Sequence, residues 1–351
     1  MRSDKLEQVS VLLDLCPGRK RRVPPSRDTV HETDVLIIGA GPAGLFGAYY
    51  AGFRGMSVTL VDSLPEIGGQ VSALYPEKAI LDVAGFPTIK GRELVNQLVE
   101  QASSARPTYL LDRTADSLTV QDDGVLMGLD DGTQVSAKVV IVTAGIGKFT
   151  PRPLPAGDGW EHRGLAFFVP SFDEYIGKDV VIVGGGDSAF DWAHQLEGIA
   201  NSIVLVHRRD QFRAHQATVD AVLAGKAEVI TKAQVTALVG DTQVEKVEIT
   251  LEDGQVVTRP AQAVVAALGF VADLTAMKDW GLEFDKRHIK VDTATRTNLP
   301  RVFAAGDITE YDGKVRLIAV GFGEVATAIN NAAPLVFPDQ GVFPGHSSEG
   351  S

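Results

Sequence analysis

Two glycine runs carry the residues whose types and spacing point to chemistry. The first is Gly39-Ala40-Gly41-Pro42-Ala43-Gly44, a GxGxxG set between an apolar run and a helical pattern. In such a run the first glycine makes a tight turn, the second lets backbone approach a pyrophosphate, and the third lets helix pack on strand. The helix that follows offers unpaired N–H groups and a positive dipole end to phosphates. Asp62 stands 18 residues beyond Gly44, where a carboxylate accepts a hydrogen bond from a ribose hydroxyl. The second run is Gly184-Gly185-Gly186-Asp187-Ser188-Ala189, a GxGxxA. At the same offset, 18 residues past Ala189, stands His207, followed by Arg208 and Arg209, with Arg213 one helical turn on. A carboxylate there would repel a 2′-phosphate, whereas guanidinium groups pair with it bidentately. The second site is therefore expected to take NADPH over NADH, through Gly184, Gly186, Asp187, Ser188, Ala189, His207, Arg208, Arg209 and Arg213. The plainer alternatives are a glycine-rich turn with a surface aspartate, and a solvated basic patch.

The surrounding pattern supplies the elements that must position these residues. Asp34 to Ile38 reads as a buried strand, Ala43 to Ala51 as a helix and Met56 to Val61 as a second strand, which is the β-turn-α-β plan of a parallel sheet. Gly91 to Ala105 reads as another helix. Asp-Gly turns at Asp123-Gly124 and Asp131-Gly132 predict hairpins over Ser117 to Val135, before a final apolar strand from Lys138 to Thr143. After the Pro-rich stretch Pro151 to Pro155 the plan restarts. It runs through a strand at Asp179 to Val183, a helix at Ser188 to Gly198 and a strand at Ser202 to Val206. A hairpin at Val244 to Val257 turns at Asp253-Gly254, and Ala261 to Leu268 closes the unit. Val302 to Gly306 reads as a short strand and Gly323 to Ala333 as a helix. Gly39 and Gly184 are 145 residues apart, and a repeat of this kind predicts two nucleotide sites.

At 351 residues the chain has room for two cores. The expected class is α/β: two Rossmann-like, three-layer (ββα-type) nucleotide-binding domains. The net charge of −12 argues against nucleic-acid binding, and no apolar run approaches the roughly 20 residues of a membrane span, so no membrane insertion is expected. The single cysteine, Cys16, permits neither an intramolecular disulfide nor a Cys-based metal cluster. No metal is expected, and a reducing, cytoplasmic setting is. Residues 1–31 read as a separate N-terminal extension; its basic run Arg19-Lys20-Arg21-Arg22 reads as a solvated linker, with nucleic-acid or membrane contact as the alternative.

The two fingerprints, Gly68-Gly69-Gln70, His207 to Ala214 (HRRDQFRA) and Ala304 to Asp307 (AAGD) together resemble the thioredoxin-reductase-like flavoproteins, from about residue 33 to near the C-terminus. The resemblance implies FAD at the first fingerprint. It also implies an NADPH domain (151–269) inserted in a discontinuous FAD domain (32–150 and 270–351). On the same resemblance Asp307 would hydrogen-bond FAD, Gly69 and Gln70 would lie beside the flavin, and the helix after Gly321-Phe322-Gly323 would aim its N-terminus at it. A positive helix end favours the negative charge of a reduced flavin.

Thioredoxin reductases carry a CxxC where this chain has Phe168-Val169-Pro170-Ser171, and glutathione-reductase relatives carry a cysteine pair where it has Gly68 to Tyr75. Thiol–disulfide exchange needs an attacking thiolate and a resolving one, so that chemistry is excluded within this chain. The pattern resembles the ferredoxin–NADP reductases of the thioredoxin-reductase-like type. Further segments fit that group: Leu74 to Lys78, Asp82 to Pro87, Thr143 to Phe149 and Pro344 to Ser348. The resemblance implies Tyr75 stacked on one flavin face and His346, from the partner of a homodimer, on the other, with Ala115, Phe149 and Ser348 also touching FAD.

The resulting expectation is hydride transfer between NADPH and FAD, coupled to one-electron exchange with ferredoxin, without an acid or base side chain. The crossings near Lys148 to Pro155 and Gly269 to Asp273 are the expected hinge strands. Alternatives are another acceptor (flavodoxin, a quinone or a separate disulfide protein), an NADH enzyme, and a non-enzymatic nucleotide-binding module. Tyr75 has core packing as its plainer reading, Phe149 interdomain packing and His346 a polar tail.

Overall fold

The computed structural model describes residues 30–343 and 345. The N-terminal extension, its basic run and Cys16 thus lie outside the described residues, as do His346 and Ser348. Val30–Ile38 is a central strand of a seven-stranded sheet, paired in parallel with Val58–Val61 on one side and Gln134–Val142 on the other. It starts earlier than the apolar run suggests: Val30 and His31, read as the end of the extension, already pair with Gln134 and Val135. Leu36 and Ile38 enter one core, Val35 and Ile37 the opposite one. A parallel strand covered on both faces is apolar at every position rather than at alternate ones.

The hairpin arm and the final apolar strand, separate in the sequence reading, are one strand, Gln134–Val142. Its first half pairs antiparallel with Val125–Leu129, and its second half pairs in parallel with Val302–Ala304. Gln134 and Ser136 interrupt the apolar run where the strand borders the hairpin, which hid the continuity from a reading based on hydrophobicity. On the far face of the sheet the helices Pro42–Phe53 and Ile318–Val336 pack through Ala48, Ala51, Val325, Ala328 and Ile329.

The middle of the chain repeats the plan. Leu165–Ala166, Ala263–Ala266, Asp179–Val183, Ser202–His207 and Glu228–Thr231 form a five-stranded parallel sheet. Val180 and Ile182 face the helix Asp187–Leu196, through Phe190 and Trp192; Val181 and Val183 face an antiparallel three-stranded sheet, through Val235, Val247 and Ile249. The expected α/β class, with three layers built twice, is what the chain adopts.

The two crossings between the halves are strands of one ribbon. Lys148–Pro151 pairs antiparallel with Phe270–Asp273, and the Phe149 and Phe270 rings meet edge to face at 5.4 Å. The last helix starts at Ile318, five residues before the expected Gly323. A Cβ on Gly321 would come within 3.4 Å of the Gly306 Cα. Its lack of side chain serves the close packing of the helix onto a turn.

Candidate dinucleotide sites

The first fingerprint forms the floor of a cleft. Gly39 has φ +108, a conformation that strongly favours glycine, and a Cβ there would sit 2.6 Å from the Thr143 carbonyl oxygen. Its N–H donates to Val61 O at 2.8 Å, which ties the turn to the neighbouring strand end. The fingerprint turn also meets the Gly68–Gly69 turn backbone to backbone: a Cβ on Gly69 would lie 3.0 Å from the Gly41 Cα. The helix Pro42–Phe53 starts there with Pro at its first position and Gly41 as an extended N-cap. That end presents backbone N–H groups and a positive dipole end to the cleft.

Asp62 is buried, with Oδ2 accepting from Ala40 N at 2.7 Å and Oδ1 from Leu64 N at 2.9 Å. Burial raises its carboxyl pKa, and the two backbone donors pull it back down. Of the residues expected to hold FAD, the cleft is lined by Gly39, Gly41, Pro42, Ala43, Asp62, Gly69, Gln70, Tyr75, Ala115, Phe149 and Asp307. Gly44 is not in the lining. A Cβ there would fall 1.9 Å from Gly39 O, so it seats the helix on the turn, the task assigned to a third glycine. Tyr75 is mostly buried, and its hydroxyl pKa is pushed up to about 12 by burial, with Asp307 and Asp82 adding to the shift. It also packs against the core of the second unit. Tyr75 thus both packs against a core and lines the cleft.

The cleft wall includes residues that motif reading missed. Arg113 lines it, holding Asp131 at 2.8 Å, and Leu274 and Met277 supply an apolar wall. Leu317, Ile318 and Gly321, at the start of the last helix, complete it. Arg113 stands two residues before Ala115, beside a strand end, and its position there was the signal available. Leu274 and Met277 carry no motif at all.

At the second fingerprint, Gly184 N donates to Val206 O at 3.0 Å, the counterpart of the Gly39 bond. The segment after the next strand folds back: Arg213 N donates to Gly185 O at 2.7 Å, and His215 N to Asp187 Oδ1 at 2.8 Å. The His207 ring lies over Gly185, where a Cβ would come within 2.3 Å of it. His207, Arg208, Arg209 and Arg213 are thereby gathered at one edge of the turn Gly184–Ala189. The three arginines are exposed, and none forms an ion pair among the described residues. Burial lowers the His207 pKa, helped by Arg208 and Arg209 against a bond to Gln211. The positive charge at this edge at neutral pH is therefore the arginines'.

The second fingerprint lies apart from the cleft, none of its residues lining it. The halves touch elsewhere: Lys78 Nζ pairs with Asp191 Oδ2 at 2.6 Å, and Arg92 Nη2 donates to Pro170 O at 2.7 Å. Among the described residues, no cluster of His, Cys, Asp or Glu suits a metal ion, and no helix is long and apolar enough to cross a membrane.

Two three-layer units, each with a glycine turn leading into a helix, define an α/β protein built around two dinucleotides. The chain belongs to the pyridine nucleotide-disulphide oxidoreductase family, whose profile matches residues 33–332. A protein of a Nocardioides species named ferredoxin–NADP reductase is 66% identical over 328 residues, covering 92% of this chain and 99% of that one. A Frankia alni protein of the same name is 62% identical, covering 90% and 98%. Among solved structures, thioredoxin reductase from T. acidophilum matches with a TM-score of 0.70 at 27% identity, covering 88% of this chain and 99% of that chain. The Lactococcus lactis thioredoxin reductase, in its FR conformation, matches with the same TM-score at 25% identity, covering 87% and 99%.

The cleft suits FAD by its own chemistry. One end offers a helix N-terminus beside the buried Asp62 carboxylate, fit for a pyrophosphate and a ribose. Elsewhere its lining offers the side chains of Tyr75, Phe149, Leu274 and Met277, fit for aromatic rings.

Proposed function

We propose that this protein is a ferredoxin–NADP+ reductase that works through FAD and NADP(H). The observation that carries the reading is the pairing of a walled cleft fit for FAD with an arginine-edged second fingerprint, in a chain that has no cysteine pair. The names of the relatives at 62–66% identity support it. Bound FAD supplies the conversion between two-electron hydride chemistry and one-electron transfer. The chain's own residues orient and tune. Gly39, Gly41, Pro42 and Ala43 would hold the pyrophosphate, with Gly44 seating the helix beneath them. Asp62 would take a ribose hydroxyl. Gly69, Gln70, Tyr75, Ala115, Phe149 and Asp307 would hold the ring and its linker. Arg208, Arg209 and Arg213 would take the 2′-phosphate of NADPH over Gly184 to Ala189.

The division proposed is 32–150 with 270–351 for FAD, and 151–269 for NADPH, a reading that the two separate parallel sheets support. Because the second fingerprint lies outside the cleft, the ribbon of Lys148–Pro151 and Phe270–Asp273 is the hinge about which the NADPH unit would bring its nucleotide to the flavin. His346 and Ser348 would complete the flavin site across a homodimer, and the cytoplasm is the setting proposed. Anaerobic titration with NADPH, then addition of oxidised ferredoxin or flavodoxin, tests the function. Ferredoxin should reoxidise the flavin. Reoxidation only by flavodoxin, a quinone or a separate disulfide protein would reassign the acceptor.

A further inference from the structure

Beneath the Asp307 turn lies a buried charge network that the two fingerprints leave unexplained. Glu324, in the second turn of the helix Ile318–Val336, is 8% exposed. Its Oε2 accepts the N–H of Gly306 at 2.7 Å. Its Oε1 accepts from Tyr311 Oη at 2.6 Å and pairs with Lys314 Nζ. The Lys314 side chain is 1% exposed, and its ammonium lies 5.4 Å from the centre of the Tyr311 ring. On its other side the turn is held by Thr309, whose Oγ1 donates to Gly306 O at 2.8 Å.

A buried ion pair of this kind is weak as a source of stability, because taking both charges out of water costs about what their attraction returns. Its geometry is informative. One carboxylate joins the Gly306 turn, the loop through Tyr311 and Lys314, and the last helix, and these are the parts that place Asp307 and the helix N-terminus at the cleft. Asp307 is itself largely buried; burial raises its pKa, with Lys314 and Arg316 opposing and Glu324 reinforcing that shift. Asp307 and Glu324 thus share the nearby ammonium of Lys314.

We infer that Glu324 and Lys314 are positioning residues for the flavin site. They fix Asp307 against the helix N-terminus and set the local charge that the reduced flavin meets. The inference rests on FAD occupying the cleft as proposed above. Removing the negative charge of Glu324 leaves Lys314 uncompensated and favours the anionic reduced flavin, so the midpoint potential rises. Removing the positive charge of Lys314 leaves two carboxylates and has the opposite effect.

The test is spectroelectrochemical titration of the FAD-loaded, full-length wild type, Glu324→Gln and Lys314→Met, with FAD dissociation constants measured by fluorescence. Displacement of the potential upward in Glu324→Gln and downward in Lys314→Met, with weaker FAD binding in both, is the expected result. Potentials that stay at the wild-type value, or that move in the same direction in both variants, overturn the inference. Should one variant fail to fold, Glu324→Asp, which keeps the charge but shortens its reach, serves in its place. It should retain the potential while losing FAD affinity, and a shifted potential there counts against the inference. A wild type that binds no FAD is a different outcome and sinks the cleft assignment itself.

Discussion

Gly39 is pressed against Thr143 and Gly69 against Gly41, and the cleft they floor is walled by Tyr75, Phe149, Leu274 and the start of the last helix. A Cβ on Gly184, the counterpart of Gly39, would likewise lie 2.5 Å from the Ala267 carbonyl oxygen, but Gly186, the counterpart of Gly41, has nothing within 4 Å of where a Cβ would stand, and the arginines beside that turn are exposed. The same turn-and-helix plan has thus been enclosed in one unit and left open in the other. An enclosed site suits a cofactor that stays bound, and an open one suits a nucleotide that exchanges each cycle. The charge beside each turn differs as well: a buried carboxylate, Asp62, beside the first and exposed guanidinium groups beside the second.

The largest expected effect comes from filling the enclosed turn. Gly44→Val places carbon where the Gly39 carbonyl oxygen lies, and should abolish retention of FAD, read as loss of visible flavin absorbance after gel filtration. NADP+ binding at the second unit should survive. A variant that keeps its flavin would show the turn to be less tightly packed than described.

Next comes the open site. Hydrogen bonds to charged groups are worth about 1.5–3 kcal/mol each, so Arg208→Ala, losing one such bond, should weaken NADPH binding by about 10- to 150-fold. It should leave NADH binding and FAD content unaltered. Equal losses for both nucleotides would reduce the cluster to a solvated patch.

A smaller effect concerns the contact between the units. Lys78 is 43% exposed, so its pair with Asp191 contributes under about 1 kcal/mol to stability. Lys78→Ala should leave the melting temperature almost unmoved, yet change the rate of flavin reduction by NADPH, because the pair holds the units in this orientation. An unchanged rate would remove the pair from any part in domain motion.

The smallest effects are in pH, and they fall at opposite ends of the scale. Tyr75 has a folded pKa pushed up to about 12, above its unfolded value of about 10. The folded state therefore holds that proton longer, and stability declines as pH rises past about 10; Tyr75→Phe should flatten the decline. His207 is lowered in the folded state by burial, so the unfolded state takes the proton first. Stability from that group is lost as pH falls below about 6.5, and His207→Gln should remove the loss. Chemical denaturation across pH reads both.

Much of this contrast was legible in the sequence, because glycine spacing and the charge at the end of the second strand express direct physical needs. Asp62 and Arg208 announce their partners by type and offset. The apolar wall was not legible, since Leu274 and Met277 are indistinguishable from core residues until the chain folds. Glu324 escaped notice for the same reason: a lone glutamate in a helix reads as solvent-facing, and its partners Gly306, Tyr311 and Lys314 are joined to it only by tertiary contact. The merging of the hairpin arm with the final strand was hidden by Gln134 and Ser136, whose polarity reflects an edge shared between two partners.

The most direct test of the enclosed-and-open account is anaerobic stopped-flow reduction of the gel-filtered protein with NADPH and, separately, NADH. The account predicts one retained flavin per chain, bleached at a rate at least about tenfold higher with NADPH, the factor expected from one lost charge-assisted hydrogen bond. Absence of retained flavin, or bleaching that favours NADH, would contradict it.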